Sequence, residues 1–329
     1  MNSATDLKII HWGILGCGRI AHKFAQDLLT IPTAKLAAVA SRSLEKSVLF
    51  GKEYNSVSCY GSYEELCLDN SVDVIYIATP HSFHFEHTML CLNHSKAVLC
   101  EKPFALNSNQ VAQMIGLAKE KNVFLMEAMW TLFLPHYQYV LNIVQSKELG
   151  DITNLKADFG YQFDFDPTSR IYNKKLGGGS LLDIGIYPVF AALSLIGFPD
   201  AIEANAKMSS TDIDENCDIL FQYKDGATAQ LYSTIIEKTN TEAIIEFENG
   251  IIIIHQQFHA PSSITVKTVK KVEHLKFNVS TFGYNYEAEH VTELLLNNKK
   301  ESPIMSFDKS IQLIHLLDLI RGEIGLEYN

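Results

Sequence analysis

The chain has no excess of positive charge, no cysteine pairing pattern and no long uninterrupted apolar run, and each absence removes a class of function. Its 27 Lys and Arg stand against 38 Asp and Glu, a formal net charge of -11 over 329 residues. A surface of that sign repels nucleic acid and anionic lipid, so neither nucleic acid nor membrane is expected as a partner, and an anionic ligand must be held by a local cluster. The six cysteines, Cys17, Cys59, Cys67, Cys91, Cys100 and Cys217, include no C-x-x-C and no His/Cys cluster. They read as reduced, mostly buried thiols of a cytoplasmic protein. No His/Asp/Glu group has ligand spacing, so no metal is expected. Met1-Asn2-Ser3-Ala4-Thr5-Asp6 lacks the basic and apolar regions of a secretory leader. The most apolar stretch, Leu181 to Gly197, contains Asp183 and Pro188 and reads as a buried helix, not a membrane span. Repeats and low-complexity segments are absent as well.

What is present is an ordinary globular balance, 47% hydrophobic and 20% charged, in a chain long enough for two domains. The boundary is expected where β–α alternation stops, giving residues 1–127 as a nucleotide-binding domain and 128–329 as a substrate-binding and oligomerisation domain.

The first domain is organised around Ile14-Leu15-Gly16-Cys17-Gly18-Arg19-Ile20-Ala21. An apolar strand precedes it and a helical pattern (Ile20, Phe24, Leu28) follows. Gly16 permits a sharp turn, Gly18 removes the side chain that would keep a pyrophosphate off the backbone, and Ala21 lets the helix sit close to its strand. The free N–H groups at that helix start, from Arg19 and Ile20 onward, then face the phosphates. The second strand, Lys35 to Ser41, ends Ser41-Arg42-Ser43. An NAD site places a carboxylate there, whereas a guanidinium and hydroxyls suit a 2'-phosphate, so NADP is the expected cofactor. Arg42 can also simply open the next helix as an exposed charge. Ser62 with Glu65 forms a capping box. A third strand, Val72 to Ala78, stops at Thr79-Pro80-His81, where the nicotinamide end would lie; His81 and His84 read equally as cofactor contacts and as capping histidines. The next strand ends Glu101-Lys102-Pro103. The proline keeps Lys102 out of the helical region and projects it from a strand end, where an ammonium can hold a substrate hydroxyl.

The glycine turn, Glu101-Lys102-Pro103 and Gly177-Gly178-Gly179-Ser180-Leu181-Leu182-Asp183-Ile184-Gly185-Ile186-Tyr187 together resemble the glucose-fructose oxidoreductase / inositol dehydrogenase family. Tyr60-Gly61-Ser62-Tyr63-Glu64-Glu65-Leu66, Glu127-Ala128-Met129-Trp130-Thr131 and Tyr286-Glu287-Ala288-Glu289-His290-Val291 are similar to its dihydrodiol dehydrogenase branch, which also oxidises D-xylose with NADP. The resemblance implies an α/β Rossmann domain followed by an α+β domain with a large open, mainly antiparallel sheet. Strand patterns at Ile152 to Phe163, Ala201 to Met208, Cys217 to Tyr223, Ala227 to Ile235, Ala243 to Phe247, Ile251 to His255 and Ser263 to Val269 agree with it. Asp225-Gly226 and Asn249-Gly250 read as hairpin turns.

The resemblance further implies that Tyr187 is the acid and base, its phenolate favoured by Lys102 and the nicotinamide cation, with Asp183 orienting Lys102 or a substrate hydroxyl. Asp183 and Tyr187, four apart, are expected on one helix face. Trp130, Phe163 and Tyr284 are expected at the substrate, in a region that also holds Tyr161, Phe165, Tyr172 and Phe282. Leu132 stands where the branch has arginine, which puts the substrate in doubt. The implied activity is NADP-dependent hydride transfer at a hydroxyl-bearing carbon of a cyclic polyol, aldose or dihydrodiol. Reduction of an anhydro-ketose or inosose, and non-catalytic NADP(H) sensing, are the alternatives. Ile251-Ile252-Ile253-Ile254 makes both faces of its strand apolar, and with the dimeric branch this points to a homodimer through the C-terminal sheet.

Overall fold

In the computed structural model, residues 8–328 are described; Met1 to Asp6, considered above for a leader, lie outside them. The chain divides into two compact units. One runs to Ala105 and takes in Asn109–Trp130 and Ser280–Phe307; the other comprises Leu106–Ser108, Thr131–Val279 and the chain from Asp308 onward.

The first unit alternates strand and helix: β1 (Ile10–Leu15), α1 (Arg19–Leu28), β2 (Ala34–Ala40), α2 (Leu44–Tyr54), β3 (Ser58–Tyr60), α3 (Tyr63–Leu68), β4 (Val74–Ile77), α4 (His84–Asn93), β5 (Ala97–Glu101), α5 (Ser108–Lys121) and β6 (Leu125–Ala128). The strands form one parallel sheet in the order β3-β2-β1-β4-β5-β6, the doubly wound order of a dinucleotide-binding fold. β4, β5 and β6 are buried at every residue, which is why they read as unbroken apolar runs. The capping box at Ser62 and Glu65 is formed, and α3 starts there.

The second unit contains α6 (Pro135–Ser146), β7 (Ile152–Gly160), α7 (Ile186–Leu195), β8 (Ala201–Met208), β9 (Asp214–Gln222), β10 (Thr228–Thr234), β11 (Ala243–Phe247), β12 (Gly250–Ile254), β13 (Ser263–Lys267) and β14 (Val272–Lys276). Its eight-stranded sheet runs β14-β13-β12-β11-β7-β10-β9-β8. Only the β10–β7 pair is parallel; the others are antiparallel, with Asp225-Gly226 joining β9 to β10 and Asn249-Gly250 joining β11 to β12. α7 packs on β7 and β10.

α8 (Tyr284–Leu296) returns to the first unit, packing on α1 and β1, and α9 (Phe307–Ile324) closes the chain. The buried carboxylate of Asp27 in α1 accepts the main-chain N–H of Phe282 at 3.0 Å, Tyr284 at 2.8 Å and Asn285 at 3.3 Å, and so caps α8. Trp12 Nε1 donates to Thr292 Oγ1 at 3.2 Å. These long-range bonds carry residues 280–307 into the first unit, where a division at 127/128 assigns them to the second.

The isoleucine run also differs from its expectation. Ile252 and Ile254 are fully buried, whereas Ile251 is exposed and Ile253 half-buried. The strand therefore keeps ordinary alternation, with an aliphatic outer face.

Candidate active site

In the first unit, the turn after β1 is shaped by what glycine lacks. Gly16 has φ +100°, and a Cβ there would meet the Ala78 carbonyl oxygen at 3.0 Å, at the end of the adjacent β4. Two parallel strands meet at this edge, and only a bare backbone fits between them. A Cβ on Gly18 would have its nearest neighbour at 3.9 Å, so that side of the turn is open. Gly18 caps α1 without any side-chain hydrogen bond, leaving the first N–H groups of the helix, Arg19 and Ile20 among them, for an anion. A diphosphate fits this cradle.

At the end of β2, Ser41 is nearly buried and its hydroxyl accepts the Ser43 N–H at 3.4 Å. Arg42 acts electrostatically on Tyr63 and on His87. His87 is pushed down to about 4, chiefly by burial and secondly by Arg42, so it is neutral at physiological pH and adds no second positive charge beside the guanidinium. Thr79 Oγ1 lies 3.0 Å from His87 Nδ1.

His84, one of the expected cofactor contacts, is instead a strut. Its ring is fully buried, with Nε2 2.8 Å from the Thr79 carbonyl and Nδ1 2.7 Å from the Pro103 carbonyl. Burial drives it down to about 4 against the pull of both carbonyls; the neutral ring has one N–H, so it donates to one of the two carbonyls and packs against the other, between the ends of β4 and β5. His81 is buried beside it, ring centroids 5.8 Å apart, in the single turn that follows Pro80.

Lys102 follows β5 directly and is half-buried, and its bond to Pro103 is cis. Its main-chain N–H donates to Glu101 Oε2 at 3.2 Å, and the other oxygen of Glu101 accepts the Tyr76 hydroxyl. Glu101 is thus an anchor for the lysine's backbone. Glu287 of α8, fully buried, is held well above the usual carboxylate range by burial and by the charges of Glu101 and Asp27. Trp130 stacks on Tyr284, ring centroids 4.3 Å apart and 12° from parallel, and both are buried.

In the second unit, Asp183 and Tyr187 do not share a regular helix. Asp183 lies in a π-turn, Leu181–Gly185, and Tyr187 is the second residue of α7. Pro188 is the third residue of α7, which continues directly from the π-turn, so its missing N–H falls inside one helical stretch. The π-turn is fastened by Asp214: its Oδ2 accepts Ser180 Oγ at 2.7 Å and Leu181 N–H at 2.6 Å, and Ser180 Oγ lies 2.9 Å from Ser233 Oγ. Gly179, φ +116°, passes so close that a Cβ would stand 2.1 Å from Asp214 Oδ1. Asp183 is gripped by Arg170, whose Nη2 reaches Oδ1 at 2.9 Å and Oδ2 at 3.0 Å. The sequence reading had no place for Arg170 or Asp214: a single Arg or Asp at either position carries no motif.

Tyr187 is buried, with Phe159 of β7 and His259 beside it at 5.8 and 4.8 Å between ring centroids. Of the aromatics in the region expected to hold the substrate, Tyr172 is a core residue, packed with Ile171, Ile184, Ile213 and Ile235, and Phe163 is half-buried against the same cluster. Tyr161, Phe165 and Phe282 are exposed. Among the described residues no group of three or more His, Cys, Asp and Glu could hold a metal. The six cysteines are free. Residues 174–195 are long and apolar enough to cross a membrane by composition, but 89% of that window is buried inside the protein.

Residues 10–129 match the GFO/IDH/MocA oxidoreductase family, NAD-binding Rossmann fold, and residues 137–253 match the GFO/IDH/MocA C-terminal domain. The trans-1,2-dihydrobenzene-1,2-diol dehydrogenase of Xenopus tropicalis is 38% identical over 96% of this chain and 98% of that protein. The human protein of the same name is 33% identical over 97% and 98%. Among solved structures, an aldose-aldose oxidoreductase from Caulobacter crescentus superposes with a TM-score of 0.88 at 23% identity, over 96% of this chain and 97% of that one.

Proposed function

The chain belongs to the GFO/IDH/MocA oxidoreductase family, and from that premise we propose an NADP-dependent dehydrogenase that oxidises one hydroxyl of a dihydrodiol, aldose or cyclic polyol. The observation that carries this reading is the fixing of Lys102. Its N–H is held by Glu101, and the carbonyl of Pro103 is held by His84, so a lysine at a strand end has no freedom of backbone. A solvated surface charge needs no such anchoring; a group that must meet a substrate hydroxyl does.

Gly16, Gly18 and the start of α1 would hold the diphosphate, and Arg42 the 2'-phosphate. The nicotinamide, when bound, takes or gives the hydride. Lys102 donates a hydrogen bond to the reacting hydroxyl oxygen and favours its deprotonated form. Tyr187 takes the hydroxyl proton on its Oη and returns it in the reverse direction. Asp183, paired with Arg170, keeps the π-turn in place ahead of Tyr187. Trp130 and Tyr284, buried and stacked on each other, are the aromatic residues this reading sets beside the substrate.

The working form in this reading is a cytoplasmic homodimer, joined through the outer face of the C-terminal sheet, on which Ile251 and Ile253 lie. Six free thiols fit a reducing compartment. Initial rates with NADP and NAD, run in both directions on a trans-dihydrodiol, D-xylose and an inosose, test the activity. Oxidation of the diol or D-xylose with NADP is the expected result. Tight NADPH binding without turnover on any of them would make the protein a sensor.

A further inference from the structure

Gly177-Gly178-Gly179 leads into the π-turn, and these glycines have no side chains by which the fold could hold them. Fixing glycine costs more conformational entropy than fixing any other residue, so the bonds to this main chain decide where the π-turn begins. Gly178 N–H donates to the Asn173 carbonyl at 3.1 Å, and Gly179 N–H to the Ile171 carbonyl at 2.9 Å. Gly178 is buried, and its carbonyl accepts the hydroxyl of Tyr328, 150 residues away in sequence, at 2.5 Å.

Tyr328 is itself fastened. Past α9 the chain folds back, Leu326 N–H donating to the Arg321 carbonyl at 2.9 Å, and Leu326 is buried. The Arg321 guanidinium lies over the Tyr328 ring, 5.3 Å from its centroid. Arg321 is buried and fixed in turn: Nη2 donates to the Leu106 carbonyl at 2.8 Å and pairs with Asp318, whose carboxylate accepts the Ser108 N–H at 2.8 Å. Burial above all pushes the Tyr328 phenol well above the usual tyrosine value, so its hydroxyl stays a donor.

Two close approaches show what the Tyr328 bond controls. A Cβ on Gly178 would stand 2.6 Å from the Ile171 carbonyl oxygen and 2.7 Å from that of Arg170, so the glycine segment rests on the main chain of the residue that grips Asp183. A Cβ on Gly179 would stand 2.1 Å from Asp214 Oδ1 and 3.2 Å from Tyr328 Oη. Tyr328 and Asp214 therefore flank Gly179 together, and Asp214 goes on to hold Ser180 and Leu181.

We propose that Tyr328 is a positioning residue for Tyr187: by holding the Gly178 carbonyl it fixes the glycine segment on which the π-turn is built, and so the place of Asp183 and of the Tyr187 hydroxyl. The inference rests on the acid–base role given to Tyr187.

The test compares full-length wild type with Tyr328→Phe, which keeps the ring on Arg321 and loses only the hydroxyl. Arg321→Lys, which leaves the hydroxyl and loosens the seat of the ring, serves if the first does not fold. Hydrogen exchange, read by mass spectrometry, is expected to quicken by about tenfold over residues 177–186 and to stay as in wild type over β11 and β12. With a trans-dihydrodiol or D-xylose and saturating NADP, kcat should fall by about tenfold or more while the KM for NADP stays fixed. Added to Tyr187→Phe, the same substitution should leave kcat where it is, since the hydroxyl acts only through Tyr187. Unaltered exchange over 177–186, exchange quickened evenly along the chain, an unchanged kcat, or an equal loss of kcat with and without Tyr187 overturns the inference. Undiminished turnover in Tyr187→Phe overturns the acid–base reading beneath it, and is told apart because the exchange comparison needs no turnover.

Discussion

The Leu181 main-chain N–H donates to Asp214 Oδ2 at 2.6 Å, joining the start of the π-turn to the first residue of β9. Through this bond a carboxylate far from Tyr187 in sequence sets where the tyrosine's helix begins.

Asp214 is fully buried, and burial, opposed by its hydrogen bonds to Ser180 and Leu181, pushes its carboxyl up to about 7. The unfolded chain loses that proton near pH ~4. Between those values the folded state holds the extra proton, so this residue's contribution to stability is largest below pH ~4 and falls as pH rises toward 7. Asp214→Asn removes that dependence. The stability of the variant relative to wild type, from urea unfolding at pH 4 and pH 7, should rise on going to pH 7 by on the order of a few kcal/mol. A difference that is the same at both values would contradict the assignment.

Arg42→Ala should weaken NADP by at least about tenfold and leave NAD nearly unchanged, because one charge-assisted pair contributes about 1.5 to 3 kcal/mol. Fluorescence titration with both reduced cofactors measures it; equal losses would remove Arg42 from the 2'-phosphate.

Much of this was legible in the sequence, and the rest was hidden for physical reasons. β8 and β11 lie at their expected bounds, because apolar spacing and the turns beside them are local signals. β3 went unread: Ser58-Cys59-Tyr60 is too short to show a period. β14 went unread as well, since Val-Glu-His-Leu-Lys is an edge strand with no buried residue. Lys102 stands out in the sequence because a proline follows it at the end of an apolar strand. Arg170 and Asp214 do not, because each gains its role only from a partner that the fold brings to it. His84 shows the converse. A histidine near a strand end suggests a ligand, and only its two carbonyl partners reveal a strut.

The sheet face is tested by light scattering at micromolar concentration. Wild type should be a dimer, and Ile251→Asp or Ile253→Asp a monomer with an unchanged far-ultraviolet spectrum. Both residues point away from the buried Ile252 and Ile254, so the substitution should spare the core. A monomeric wild type would contradict the proposal.

Lys102→Met should lower kcat by about 100-fold or more while NADPH binds as before, since the change leaves the glycine turn and the backbone bonds of Glu101 and His84 in place. Isothermal titration and steady-state rates on one preparation separate the two effects. A parallel loss of binding would make Lys102 a cofactor anchor only.

The central claim, that Tyr187 carries the proton, is tested most directly by the kcat of Tyr187→Phe for diol or D-xylose oxidation with saturating NADP. The account predicts a fall of about 100 to 10,000-fold with NADPH affinity intact; turnover near that of the wild type would contradict it.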